Sequence, residues 1–304
     1  MMWFRSAFTI FCLQFLLWLT CLSSTGHAEP GNQFDSNGVK IHYLDQGQGE
    51  PVLLVHGFAA SGVLNWSLPG IIQSLRKQDY RVITIDNRGH GQSEKPHAPE
   101  KYGVEMVGDL TRLLDHLRIS KAHVVGYSMG AFLTCKMLTV APDRMISATL
   151  GGAGWPREND PRLNLMTDLA QSLESGNGIV PLLRALAPPE RPLPTDDQLQ
   201  SMSRLALLVN DPLALAAVAR SNRQLLVNRS SLEKNKVPVL GLVGQLDPLK
   251  DSVDALVGVL PELEVAVIPG ADHDTAFTHA QFKSELVEFL AKHRQAASSA
   301  NRRN

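Results

Sequence analysis

The pentapeptide Gly126-Tyr127-Ser128-Met129-Gly130 offers the clearest chemistry in this chain. It follows the apolar run Ala122-His123-Val124-Val125 and leads into Ser128 to Val140, whose pattern is helical. A serine on a sharp strand-to-helix turn is held in a strained conformation that exposes its Oγ. The start of the helix adds unpaired N–H groups beside that oxygen. Bulk at 126 or 130 would collide with neighbouring backbone, which accounts for Gly126 and Gly130. The pattern G-x-S-x-G is weak by itself, and a plain turn serine is its competing reading. Set between a buried strand and an apolar helix, it makes Ser128 a candidate nucleophile.

A serine hydroxyl attacks a carbonyl only when a base takes its proton. The chain has ten histidines. His116, His123 and His293 fall in regular elements, His42 in a strand and His97 in a turn-rich loop. His273 differs, because it follows the strand-like run Leu263–Ile268 and the turn Pro269-Gly270-Ala271-Asp272. Loops after the strands of a parallel sheet share one edge, where ligands bind. His273 is therefore the expected base, with His279 second.

The base needs an acid to fix its tautomer. Asp247 follows the run Val237–Val243 through Gly244-Gln245-Leu246, on the same expected edge. Asp251 and Asp272 compete. Asp251 reads as the acidic start of a helix, and Asp272 is a direct neighbour of the base. The order Ser128, Asp247, His273 is that of an acyl-transfer triad on an open α/β sheet. An oxyanion requires two donors. Met129 N–H, next after the nucleophile, is one. Phe58 N–H, in the turn His56-Gly57-Phe58 after the run Val52–Val55, is the other. His56 reads as a hydrogen-bonding residue rather than a base.

These groups converge only if strands and helices alternate. Short apolar runs at Pro51–Val55, Arg81–Ile85, Ala122–Val125, Met145–Leu150, Val237–Val243 and Leu263–Ile268 read as strands buried on both faces. Val39 to Asp45 alternates, as a half-exposed strand does. Helical patterns lie between them at Pro69–Gln78, Val104–Leu117, Ser128–Val140, Ser252–Val259 and Phe277–His293. The expected class is α/β, a doubly wound, mostly parallel sheet. Residues 155–231 break the alternation. This Leu-rich, Pro-punctuated stretch carries helical patterns at Leu163–Leu173, Asp197–Leu208 and Leu213–Arg223. It reads as a helical cap inserted into a core formed by 29–154 and 232–304. The insert contains no aromatic residue after Trp155, so any pocket wall it supplies is aliphatic. Arg157, Arg184 and Arg191 in it could bind a substrate carboxylate, although Glu158 and Glu190 favour ordinary surface pairing.

Composition excludes other classes. The 304 residues are 44% hydrophobic and 19% charged with a net charge of -1, so neither disorder nor bulk attraction to nucleic acid is expected. Only the N-terminus holds a long apolar run, which excludes a polytopic membrane protein. There Arg5 precedes the mostly apolar Ala7–Leu22, and Gly26 and Ala28 supply small residues. Residues 1–28 read as a secretory signal peptide cleaved after Ala28, giving an exported protein with no stable membrane insertion; an uncleaved anchor is the alternative. Cys12 and Cys21 would leave with it. Cys135, the remaining cysteine, then has no disulfide partner and reads as a small buried residue.

The chain resembles the α/β-hydrolase superfamily from about Val39 to His293. The resemblance rests on His56-Gly57-Phe58, Asp86-Asn87-Arg88-Gly89-His90-Gly91-Gln92-Ser93, Gly126–Gly130, Gly244–Asp247 and Gly270–His273. The stretch Asp86–Ser93 is similar to the family's D-x-R-G-x-G-x-S turn, which shapes a loop beside the pocket. Dehalogenases and epoxide hydrolases of the superfamily carry an aspartate where this elbow carries Ser128. The implied activity is that of a serine esterase on a small-molecule, ester-like substrate, with no cofactor and no metal. A C–C bond hydrolase, a perhydrolase or an acyltransferase would use the same triad. A non-catalytic binding protein is the remaining alternative class. No H-E-x-x-H, G-x-G-x-x-G or P-loop pattern is present.

Overall fold

The computed structural model describes residues 31–158, 160 and 162–295. The signal segment expected at 1–28 and the tail from Ala296 lie outside the described residues. Eight strands form one sheet in the order β1-β2-β4-β3-β5-β6-β7-β8. They are β1 (Asn32–Asp35), β2 (Lys40–Gln46), β3 (Glu50–Val55), β4 (Tyr80–Ile85), β5 (Ala122–Tyr127), β6 (Met145–Gly151), β7 (Val239–Gly244) and β8 (Leu263–Ile268). Pairs β1·β2 and β2·β4 are antiparallel, and every pair from β4 to β8 is parallel.

The apolar runs serve both faces because successive side chains alternate. Leu53, Val55, Ile83 and Val124 enter one buried cluster, and Val52, Leu54, Val82 and Val125 enter the other. The first face is covered by α2 (Val104–His116) and α3 (Met129–Val140), through Leu110, Leu114, Leu133 and Met137. The second is covered by α1 (Ile71–Arg76) and α10 (Ala280–Lys292), through Leu75, Phe282 and Leu286, while the short α9 (Lys250–Asp254) follows β7. Cys135 is fully buried on α3, and burial pushes its thiol up to about 12.

Between β6 and β7 come five helices: α4 (Arg162–Glu174), α5 (Val180–Ala185), α6 (Asp196–Leu207), α7 (Pro212–Ser221) and α8 (Arg229–Glu233). Three lie where the 3.6-residue periodicity predicts them. The short α5 and α8 fall below the length at which periodicity is readable. The helices have their own apolar cluster of Leu169, Ala170, Leu173, Ile179, Leu215, Ala216 and Ala219. A reciprocal cap between Thr195 and Gln198 starts α6. The Asp211 side chain caps α7, with Pro212 at its first position. The sheet's last strand departs from expectation. β8 was expected to be buried on both faces, yet Glu264 and Val265 are exposed. The sheet ends there, and only β7 lies alongside.

Candidate active site

Ser128 stands between β5 and α3 with φ 55° and ψ −118°, a left-handed conformation that costs a non-glycine residue energy. The turn is possible because α3 approaches β3 and β5 very closely. A Cβ at Gly126 would lie 2.1 Å from Gly130 O, and one at Gly130 would lie 2.0 Å from Val55 O. Ser128 N–H donates to Gly151 O at 2.8 Å, which anchors the elbow on β6. Ser128 is partly accessible, while its neighbours Tyr127 and Met129 are buried.

The loops after β7 and β8 run together. Gln245 N–H donates to Ile268 O at 2.9 Å and Leu246 N–H to Ala271 O at 2.8 Å. This brings Asp247 beside His273, both 4% exposed. The distance from His273 Nδ1 to Asp247 Oδ2 is 2.9 Å, and from His273 Nε2 to Ser128 Oγ it is also 2.9 Å. Asp247 Oδ1 accepts Leu249 N–H at 2.9 Å, so both its oxygens are engaged. With Nδ1–H donating to Asp247, Nε2 is left as the acceptor for the Ser128 hydroxyl. Burial opposes protonation of His273, but the Asp247 charge and hydrogen bond outweigh it, helped by Asp274 and Asp272. The imidazole is held above its usual value.

The competing groups go elsewhere. Asp251 is exposed and pairs with Arg157 at 3.3 Å and Arg162 at 2.8 Å. Asp272 takes Arg191 at 2.5 Å. His279 stands at the start of α10, where its side chain makes no capping hydrogen bond. His56 is fully buried; its Nδ1–H donates to Gly57 O at 2.7 Å and its Nε2 accepts Asn87 N–H at 2.9 Å. Both nitrogens are used by backbone, in the structural role expected of it. Burial lowers its pKa, only partly offset by the Asp86 charge.

The expected oxyanion donors, Phe58 and Met129, follow β3 and β5. Among the described residues, neither Phe58 N–H nor Met129 N–H has a backbone acceptor. Gly57 N–H donates to Asn65 Oδ1 at 2.7 Å, which fixes the turn before Phe58. Phe58 packs against both the sheet's core and the insertion's cluster, against which Leu182, Leu183 and Leu207 are also partly buried. The Asp86–Ser93 turn is also built as expected. Asp86 accepts from His42, Gly62 and Gln92, each at 2.9 Å. Burial raises the Asp86 carboxyl, but the His42 hydrogen bond, the His56 charge and the Gln92 and Gly62 N–H groups prevail and hold it at about 2. Arg88 makes a buried two-point pair with Asp109 at 2.7 and 2.6 Å.

Two contacts carry no signal at the level of residue spacing. Tyr127 O–H donates to His273 O at 2.6 Å. Arg191 reaches Asp272 across 81 residues of sequence. The three insertion arginines singled out from the sequence all pair with aspartates: Arg157 with Asp251, Arg184 with Asp196 and Arg191 with Asp272. Glu158 and Glu190 are not the partners. Among the described residues, no group of three or more His, Cys, Asp or Glu could hold a metal ion.

Residues 50–280 match the family model described as the alpha/beta hydrolase fold. The chain is similar to the dihydrolipoyllysine-residue acetyltransferase component of the acetoin cleaving system of Pseudomonas putida, 31% identical over 252 residues. That match covers 81% of this chain and 64% of that protein, so the chain spans less than two thirds of that relative's length. Among solved structures, bromoperoxidase from Bacillus anthracis superposes with a TM-score of 0.69 at 25% identity, covering 86% of this chain and 100% of that one. A structure from the archaeon Nitrososphaera gargenis, from work on its carboxylesterases, superposes with a TM-score of 0.72 at 23% identity. It covers 87% of this chain and 98% of that one, a likeness of fold.

Proposed function

The chain belongs to the α/β-hydrolase family, and from that premise we propose that it is a serine hydrolase cleaving small carboxylic esters through an acyl-enzyme. The observation that carries this reading is the unbroken relay from Ser128 Oγ to His273 Nε2 and from His273 Nδ1 to Asp247, 2.9 Å at each step. His273 takes the Ser128 proton as Oγ attacks the ester carbonyl. Asp247 holds the imidazole in the required tautomer and stabilises the imidazolium. Phe58 and Met129 N–H groups receive the oxyanion. His273 then returns the proton to the leaving alcohol. A water attacks the acyl carbonyl with His273 again as base, and Ser128 is released.

The elbow serine separates this reading from epoxide opening, which in this superfamily uses an aspartate there. The pairing of Arg157, Arg184 and Arg191 with aspartates supports an acyl group without a carboxylate of its own. In this reading residues 155–231 are the lid, and its aliphatic side chains beside Phe58 form the acyl pocket. Export with removal of residues 1–28 belongs to the same proposal. Protein from a secreting host should have the intact mass of a chain starting at Glu29, and a retained, membrane-held N-terminus would overturn it.

The test is turnover of nitrophenyl esters of graded acyl length, alongside an epoxide, a vinylogous diketone and acetate with hydrogen peroxide. Ester hydrolysis that exceeds the other three supports the proposal. Preferential C–C cleavage or peracid formation would reassign the reaction while leaving the triad in place. No turnover of any of them would remove the enzymatic reading.

A further inference from the structure

The insertion and the histidine loop are joined by a contact that the reaction described above does not use. Arg191 lies in the loop between α5 and α6, bracketed by Pro188, Pro189, Pro192 and Pro194. Its N–H closes a turn onto Pro188 O at 3.1 Å. Prolines fix φ and lower the conformational entropy lost when such a loop is held in place. The guanidinium extends to the histidine loop. Nη1 donates to Asp272 Oδ2 at 2.5 Å and Nη2 to Gly270 O at 3.3 Å.

Asp272 is only 5% exposed, and its other oxygen is committed. Oδ1 accepts Thr275 N–H at 3.0 Å and Thr275 Oγ–H at 2.6 Å. That pair closes the turn 272–275, which contains His273. Arg191 therefore grips the residue that organises the turn presenting the base. It also neutralises one of three carboxylates around the imidazole.

We propose that Arg191 is a positioning residue for His273, fastening the helical insertion to the histidine turn through Asp272. This rests on the serine-hydrolase reading. The groups facing His273 are Asp247 from the β7 loop, Asp272 and Asp274 from its own turn, and Tyr127 and Ser128 from the elbow. Arg191 is the cation that pairs with Asp272. With Arg191 in place, the Asp272 charge is offset. Without it, Asp272 is an unpaired carboxylate next to the imidazole, which favours the imidazolium. Only neutral His273 can act as base, so loss of Arg191 moves the acid limb of the rate profile to higher pH.

The experiment compares kcat/KM against pH for the full chain and for Arg191→Gln, Arg191→Lys and Asp272→Asn, on one neutral activated ester. Fluorophosphonate labelling of the wild type is measured first. Arg191→Gln should lose about tenfold in kcat/KM, the scale of a small misplacement of a catalytic group, and its acid limb should rise by about half a pH unit or more. Asp272→Asn should move the limb the opposite way, because it leaves the cation and removes the anion. Arg191→Lys keeps the charge but not the forked geometry. It should return the limb to the wild-type position and recover part of the rate. Arg191 is exposed, so its variants should fold, and thermal melts check this. A limb unchanged in Arg191→Gln, or moved the same way in both charge variants, overturns the proposal even with labelling intact. Failure of the wild type to label overturns the serine-hydrolase reading instead.

Discussion

The Tyr127 hydroxyl donates to the backbone carbonyl of His273 at 2.6 Å, so the residue preceding the nucleophile holds the base's own backbone. The two rings lie 5.4 Å apart, and Phe277 and Phe282 pack edge-on against the tyrosine. Position 127 is the x of G-x-S, next before Ser128. The elbow and the histidine turn are thereby joined through Tyr127, as the insertion and that turn are joined through Arg191.

Tyr127→Phe removes this bond and leaves a buried carbonyl unpaired. The expected cost is about 1–3 kcal/mol of stability. Chemical denaturation measures the first effect. Turnover should also fall by about tenfold, with KM changing less, because a displaced base affects the transition state more than binding. Unchanged stability and turnover would show that the bond is idle.

The three carboxylates that the sequence offered as the acid predict three different outcomes. Asp247→Asn keeps the shape but favours the wrong imidazole tautomer, and should lower turnover by about 10⁴-fold near neutral pH while the protein stays folded. Asp251→Asn breaks only exposed pairs with Arg157 and Arg162 and should lose little. Asp272→Asn should fall between them. Steady-state rates of the three variants check the order, and a collapse in Asp251→Asn with Asp247→Asn intact would reassign the acid.

Stability should decline on acidification well above the range of ordinary carboxylates. Burial pushes His90 down to about 3. The unfolded chain binds a proton at about 6.5, before the folded one does. The resulting stability is complete above pH 6.5 and is lost as pH falls toward 3, on the order of 5 kcal/mol across the window. Asp86, held at about 2, adds a smaller contribution that is present above its unfolded value near 3.8 and lost as pH falls through 2. Unfolding free energies measured from pH 7.5 to pH 4 should fall steadily, and His90→Asn should flatten that slope. A slope unchanged in the variant would exclude His90 as its source.

The pocket prediction concerns Leu182 and Leu183, which, like Phe58, are partly buried against the insertion's apolar cluster. Replacing either with Ala should shift the ester profile toward longer acyl groups while phosphonate labelling persists. An unchanged profile for both would make the insertion simple packing.

The sheet and the site were legible in the sequence for one physical reason. Buried parallel strands are continuous apolar runs, and the residues after each strand must gather on one edge. Ser128, Asp247 and His273 each follow such a run, and that alone predicted their meeting. β1 was not legible, because an edge hairpin strand needs only Phe34 inward and its other residues stay polar. β8 was overread as buried, since an apolar run does not reveal that the sheet ends beside it. Tyr127 and Arg191 were missed as site residues because their partners are a backbone carbonyl and a carboxylate distant in sequence. No local spacing encodes either contact.

The most direct measurement is covalent labelling of the protein with a fluorophosphonate, followed by peptide mapping. The phosphonyl group should be found on Ser128, and Ser128→Ala should abolish labelling and lower ester turnover by about 10⁴- to 10⁶-fold. Label on another residue, or labelling and turnover that persist in Ser128→Ala, would contradict the assignment of Ser128 as the nucleophile.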